Sequence, residues 1–245
     1  MDRLRTARPT ARLRQGRNDW YRIENKADGP ASVYIYDEIG YFGVTAKDFV
    51  NDLNGITASE IDLHLNSPGG DVFDGIAIYE ALKNHPAKVT VTVDSLAASA
   101  ASFIAQAGDV VVMSRNAQMM IHDAMGLCVG NAADMEEMIG LLNKCSDNIA
   151  DIYAQRAGGT VDSWREKMKA ETWYSAQEAV DAGLADSVKG ADSSDKKNET
   201  HNDWDLSIFN FEGRKDAPAP APLTNTDTAS FDFDGLAKTF QEAFK

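Results

Sequence analysis

The chain has 245 residues, 43% of them hydrophobic, and a formal net charge of −14 from 24 Lys and Arg against 38 Asp and Glu. This is the make-up of a globular protein with one core domain and a tail, and so acidic a balance excludes a general nucleic-acid binder, because neutralising phosphates takes clustered cations. No stretch reaches the ~20 apolar residues of a membrane-spanning helix and no apolar export segment follows the start, so no membrane role is expected and the expected location is cytoplasmic.

Residues 1–18 carry six arginines and one acid, and read as a short flexible arm. From residue 19 to about 189 short apolar runs alternate with helical periods, the pattern of an α/β domain. Ser32 to Tyr36 and Ile61 to Asn66 predict strands, and Ala46 to Leu53 and Val72 to Asn84 predict helices from apolar positions spaced by three and four. Lys88 to Val93 predicts another strand. Leu96 to Ala107, small, apolar and almost uncharged, predicts a helix buried on all sides. Two short strands follow at Val110 to Met113 and Met119 to His122, then a long helix from Asn131 to Arg156 with Met135, Met138, Ile139, Leu142, Cys145, Ile149 and Ile152 on one stripe. Its length predicts that it projects. Helices at Ser163 to Lys169 and Ala176 to Ala182, the latter closed by Gly183, end the compact part. Residues 190–245 form a polar tail, with alternating Ala and Pro from Ala217 to Pro222, that lacks the apolar surface to order itself. Two islands break it: Trp204 to Phe211, and a terminal amphipathic segment with Phe233, Leu236, Phe240 and Phe244 at helical spacing.

Four histidines narrow the search for chemistry. His201 lies in the polar tail, His85 in a helix-ending stretch, and His64 alternates with apolar Ile61, Leu63 and Leu65 as a half-exposed strand residue. His122 stands at a strand end, where open α/β sheets present functional groups. Ser99 lies among Ala97, Ala98, Ala100 and Ala101 at the turn into a helix. There free N–H groups would stabilise an oxyanion, although small residues in a close-packed helix give the same pattern. Asn66-Ser67-Pro68-Gly69-Gly70 is a glycine turn of a common kind. No nucleotide-binding loop and no His/Asp/Glu metal pattern occurs, so no cofactor and no metal are expected. Cys128 and Cys145 have no ligand or CxxC spacing and read as reduced thiols without a role.

In order along the chain, the Asn66-to-Gly70 turn, Ala97-Ala98-Ser99, Met120-Ile121-His122 and Ser175-Ala176-Gln177-Glu178-Ala179-Val180, closing on Gly183-Leu184-Ala185-Asp186, resemble the proteolytic subunit of the Clp protease family. Trp20-Tyr21-Arg22-Ile23, Tyr34 to Gly40 and Glu171-Thr172-Trp173 resemble, more narrowly, the Clp-related head maturation proteases of tailed phages and prophages. The resemblance implies a crotonase-type fold of repeated ββα units with a projecting handle helix, here followed by a disordered C-terminal tail. It implies a serine endopeptidase with Ser99 as nucleophile, His122 as general base and backbone amides of Gly69 and Ala100 as oxyanion hole. Glu171 stands where the family has an aspartate, and Asp123 is the substitute candidate for the acid. Gly70, Gly126, Leu127, Cys128 and Val129 would bind the peptide. The implied partners are further copies of the chain in a heptameric or doubled ring, capsid or scaffold proteins as substrates, and an AAA+ unfoldase to which any ATP would belong. Host cytoplasm or an immature phage head would be the location. A housekeeping Clp subunit, a crotonase-fold acyl-CoA enzyme and a catalytically silent structural ring are the other readings.

Overall fold

The computed structural model describes residues 21–24, 29–40, 43–190 and 204–222. The Arg-rich arm and the terminal amphipathic segment lie outside the described residues.

The centre is an eight-stranded sheet. Strand β1 (Tyr21–Glu24) runs antiparallel to β2 (Ala31–Ile35), and from β2 the order continues in parallel through β3 (Glu60–Ser67), β4 (Lys88–Ala98), β5 (Val110–Met113) and β8 (Ser187–Val188). The remaining two strands leave this path: β6 (Gln118–Ile121) pairs in parallel with the end of β4, and β7 (Thr172–Ser175) pairs antiparallel with β6. Val89, Val91 and Val93 alternate into the core along β4 as a strand period requires.

Helix α1 (Ala46–Leu53) forms where the sequence predicts it, with Thr45 capping Asp48 N–H and with Phe49 and Leu53 buried. In α2 (Val72–Lys83) Asp71 accepts from the amides of Phe73 and Asp74 at 2.9 and 3.0 Å, satisfying two of the unpaired donors at a helix start. Gly75 lets α2 approach α3 (Ala100–Ala105) closely, since a Cβ there would meet the Phe103 ring at 2.7 Å.

The helix expected over Leu96 to Ala107 divides. Leu96 to Ala98 continue β4, and only the residues after Ser99 are helical. Strand pairing overrides the helical composition here: Leu65 faces Val93 but Ser67 faces Ala97, so β4 bulges against β3. Beyond the bulge β4 exchanges β5 for β6 as neighbour.

Helix α4 (Ala132–Ala157) opens with a capping box between Asn131 and Asp134. Its buried residues all lie from Cys145 onward, while Met135, Ile139 and Leu141 in the first half are exposed. The predicted apolar stripe is therefore core over only half its length. Helix α5 (Val161–Lys169) buries Trp164 completely, and α6 (Ala176–Asp181) follows β7 through a Ser175–Glu178 capping box.

Residues 204–222 depart from the expectation of a disordered tail. Trp204, Leu206, Phe209, Phe211 and the buried Ala217 pack on Leu96, Ala98, Met120 and Trp173, the face formed by the ends of β4, β6 and β7. Proline and polar residues dominate the composition, but four large side chains are enough to anchor a short strap on an apolar sheet face.

Candidate active site

Three adjacent strand ends build the site. Ala98 of β4 pairs with Met120 of β6, and Met120 pairs with Trp173 of β7. One residue past Ala98 stands Ser99. One step beyond the antiparallel pair Ile121–Thr172 stand His122 on one chain segment and Glu171 on the other. Register alone thus brings the three residues to one rim of the sheet.

Ser99 has φ 53° and ψ −122°, a left-handed conformation rare for a residue with a side chain. Such strain costs on the order of 1–3 kcal/mol and persists only where neighbours fix it. Here the Ser99 amide donates to Met120 O at 2.9 Å, its carbonyl accepts from Ser102 N and Oγ, and Ala97, Ala98, Ala100 and Ala101 are fully buried around it. The sharp turn sends the hydroxyl outward, where His122 Nε2 lies 2.7 Å from Ser99 Oγ. A hydroxyl and an imidazole at that distance are arranged for proton transfer.

Burial is the largest influence on His122 and pushes its pKa down. The Glu171 charge, the Asp123 main chain and the Asp123 charge oppose it, favouring the imidazolium, and do not overcome it. The lowered pKa favours the neutral imidazole, the form that can act as a base.

Glu171 is buried and, like Ser99, has a positive φ, 51°. Its carboxylate accepts from Trp173 Nε1 at 3.2 Å, from Asn210 N at 2.7 Å and Nδ2 at 3.0 Å, and from Phe211 N at 3.0 Å. Asp123, the substitute candidate, points elsewhere: its two oxygens accept from Nε and one terminal nitrogen of Arg165, both at 3.1 Å. Arg165 also donates to Asp147 and Asn143. Asp123 is thus committed to α5, and Glu171 is the acid on the histidine side of the rim.

The two glycines of the Asn66–Gly70 turn separate in role. Gly69 (φ 95°) packs so closely on the serine turn that a Cβ would lie 2.6 Å from Ala98 O and from Ser99 Cβ. Its amide donates to Ser67 Oγ at 3.1 Å and its carbonyl accepts from Ile39 N. The Gly69 amide expected in an oxyanion hole is therefore already engaged. Gly70, not Gly69, lines the cavity beside Ser99.

That cavity, about 330 Å³, is bounded by Gly70, Ser99, His122, Met125, Leu127 and Phe209 among others. Gly126 also lines it, whereas Cys128 and Val129 stand outside it, Val129 almost fully exposed. Ala100, the other expected amide, is the first residue of α3. The sequence reading missed the residues of the strap. Ile208 and Phe209 form one wall of the cavity, and the Phe209 ring meets the His122 ring edge-on at 5.2 Å. In the sequence Trp204 to Phe211 stands out only as an apolar island in a polar tail, and no signal names the surface it packs on.

Among the described residues no group of His, Cys, Asp and Glu is disposed to hold a metal ion, and no helix is long and apolar enough to cross a membrane. Both cysteines are free thiols.

A family model described as Clp protease matches residues 15–192. The chain is 32% identical over 133 residues to an ATP-dependent Clp protease proteolytic subunit from Pleurastrum terricola, covering 54% of this chain and 68% of that one. It is 30% identical over 132 residues to ATP-dependent Clp protease proteolytic subunit 1 from Leifsonia xyli subsp. xyli, covering 53% and 67% respectively.

Proposed function

From the premise that the chain belongs to the Clp protease family, and is a serine-type endopeptidase, we propose that Ser99, His122 and Glu171 are its catalytic triad and that it serves as a head maturation protease of a tailed phage or prophage. The observation that carries the triad is the 2.7 Å contact between His122 Nε2 and a Ser99 hydroxyl on a strained turn at the mouth of a cavity. Ser99 attacks the peptide carbonyl as His122 takes its proton. The same proton then goes to the leaving amine, and a water activated by His122 releases the acyl group. The Ala100 amide at the start of α3 and the Gly70 amide are the donors for the oxyanion, Gly70 replacing the committed Gly69. Gly126 and Leu127, which line the cavity after His122, would pair with the peptide as an added strand, with Cys128 and Val129 continuing that line.

The maturation role is supported by the likeness of Trp20 to Ile23, Tyr34 to Gly40 and Glu171 to Trp173 to phage and prophage members. Capsid or scaffold proteins would be the substrates. The exposed Met135, Ile139 and Leu141 on the projecting half of α4 supply an apolar surface for self-assembly into a ring, heptameric or doubled. A second reading has support in the names of the relatives: a housekeeping subunit working with an ATP-driven unfoldase, which would supply the ATP chemistry.

The test is intact-mass measurement after a fluorophosphonate probe on the wild type, Ser99→Ala, His122→Ala and Glu171→Ala. One adduct on the wild type, absent from Ser99→Ala and formed far more slowly in the other two, is expected. No adduct on a folded, assembled wild type would overturn the triad. Degradation of a folded protein only with ATP and an added unfoldase would favour the housekeeping reading over the maturation one.

A further inference from the structure

The strap of residues 204–222 lies beyond the part of the chain that the family model matches, yet it touches two of the three proposed triad residues. Of the hydrogen bonds to the Glu171 carboxylate among the described residues, the domain supplies one, from Trp173 Nε1. The strap supplies the other three, from Asn210 N, Asn210 Nδ2 and Phe211 N. A buried carboxylate stays ionised only where donors replace the water it has lost. With a single indole N–H, three of the four hydrogen bonds that fix the Glu171 carboxylate would be missing.

Polar contacts tie the strap to the domain at several points. Arg214 forms a two-pronged ion pair with Glu178, its Nε and a terminal nitrogen each 2.5 Å from a carboxylate oxygen. The Arg214 amide donates to Gln118 at the start of β6, and Lys167 donates to the Ala221 carbonyl. The strap also leaves the reaction centre open. Ser99 keeps its contact with His122, and Ile208 and Phe209 form a wall of the cavity rather than fill it.

We propose that Asn210 is a positioning residue of this protease: with the Phe211 amide it fixes the Glu171 carboxylate on the His122 side of the rim, so that the C-terminal strap completes the active site. Asn210 acts through Glu171 and touches no reacting atom. The inference rests on the reading of Glu171 as the third triad member.

The experiment measures the rate of fluorophosphonate inactivation as a function of pH for the full-length wild type, Asn210→Ala, Glu171→Gln and the double variant, with thermal melting as a check of folding. Asn210→Ala should slow inactivation about tenfold at neutral pH, as expected for losing one hydrogen bond to a charged group. It should also move the acidic limb to lower pH, toward that of Glu171→Gln. The sign follows from the carboxylate favouring the imidazolium: weakening it leaves His122 harder to protonate. The groups whose charge acts on His122 are Glu171 and Asp123, and Asp123 remains on Arg165 in every variant. The double variant should be no slower than Glu171→Gln. Asn210→Ser, which keeps the backbone donor and a short hydroxyl, should be intermediate and serves if the alanine variant does not fold. Faster inactivation of Asn210→Ala would make the strap a restraint and overturn the inference. An unchanged rate and limb would make it packing alone and overturn it too. If Glu171→Gln itself changed nothing, the triad reading would fall and the inference with it, whereas an effect of Glu171→Gln without one of Asn210→Ala would sink the inference alone.

Discussion

Replacing Asp123 by Asn and, separately, Glu171 by Gln asks which carboxylate serves His122. The structure gives the two changes opposite signatures. Asp123 and Arg165 share two hydrogen bonds at 3.1 Å, with side-chain exposures of 30% and 11%. Breaking a fully buried pair costs about 3–5 kcal/mol. Arg165 keeps Asp147 and Asn143, and Asp123 is partly solvated, so the discounted cost is about 2 kcal/mol. For a folded part of this size that lowers Tm by about 4–8 °C. Hydrolysis of a fluorogenic peptide should stay within about threefold of wild type, because Asp123 contributes only a minor charge effect to the histidine. Glu171→Gln should instead lower kcat by roughly 10³ to 10⁴, the scale for a triad whose imidazole loses its orienting acid. Melting curves and kcat, measured on the same preparations, check both. If Asp123→Asn lost turnover as far as Glu171→Gln at an unchanged Tm, the assignment built on strand register would be wrong.

The pH dependence follows from the buried histidine. Its lowered pKa places the acidic limb of kcat/KM below about pH 6.5, the ordinary imidazole value, and a limb above 7 would contradict the dominance of burial. The same group stabilises the fold fully above its unfolded pKa, and that contribution is lost as pH falls through the depressed folded value. Gly69→Ala would press a Cβ within 2.6 Å of Ala98 O and Ser99 Cβ at φ 95°, so a stability loss of about 2 kcal/mol or more and no probe labelling are expected. Gly140→Ala is the contrast: nothing lies within 4 Å in an exposed stretch of α4, and calorimetry should show a gain of about 0.5–1 kcal/mol. Arg214 is the main reason the Glu178 carboxyl is held down at about 2. Arg214→Ala should return that carboxyl toward its ordinary range in a titration and expose residues 204–222 to limited proteolysis. A strap still resistant to cleavage would mean that its aromatic contacts alone hold it.

Much of this was legible where one local rule acts alone. The apolar spacing of Ala46 to Leu53 and the repeating stripe from Asn131 to Arg156 are local patterns, and both helices form as read. At Leu96 to Ala98 composition and local setting disagree: the alanine-rich run favours a helix, the turn at Ser99 marks a passage into one, and pairing with β6 settles these residues in the sheet. Ser99 and His122 could be singled out as residue types in an unusual setting. That they meet at 2.7 Å is a property of the pairing of β4 with β6, which no short stretch records. Gly69 and Gly70 look alike in sequence, and their difference is tertiary: Gly69 packs on the serine turn with its amide on Ser67 Oγ, while Gly70 lines the cavity. The strap was recognised as an apolar island, but its destination is 39 residues away in the chain, at Glu171.

The sheet register also explains how distant segments keep the proposed triad together. Between His122 and Glu171 the chain leaves the sheet to build the extended cavity edge, the whole of α4 and α5. None of that excursion has to hold a fixed length for the two residues to meet, because the pair Ile121–Thr172 fixes them from the sheet side. The excursion is anchored by contacts of its own: Arg165 on Asp123, Ala124 N–H on Ser146 Oγ, and Tyr153 hydroxyl on Ser102 behind the serine turn. The first half of α4 buries no residue, and it is tied to other segments by Asn143 on Arg165 and by the Asp134 carbonyl on Cys128 Sγ. Substitutions of its exposed Met135, Ile139 and Leu141 should therefore leave the Ser99–His122 geometry intact, and a loss of self-association in those variants, read by sedimentation beside probe labelling, would separate the proposed interface from the chemistry.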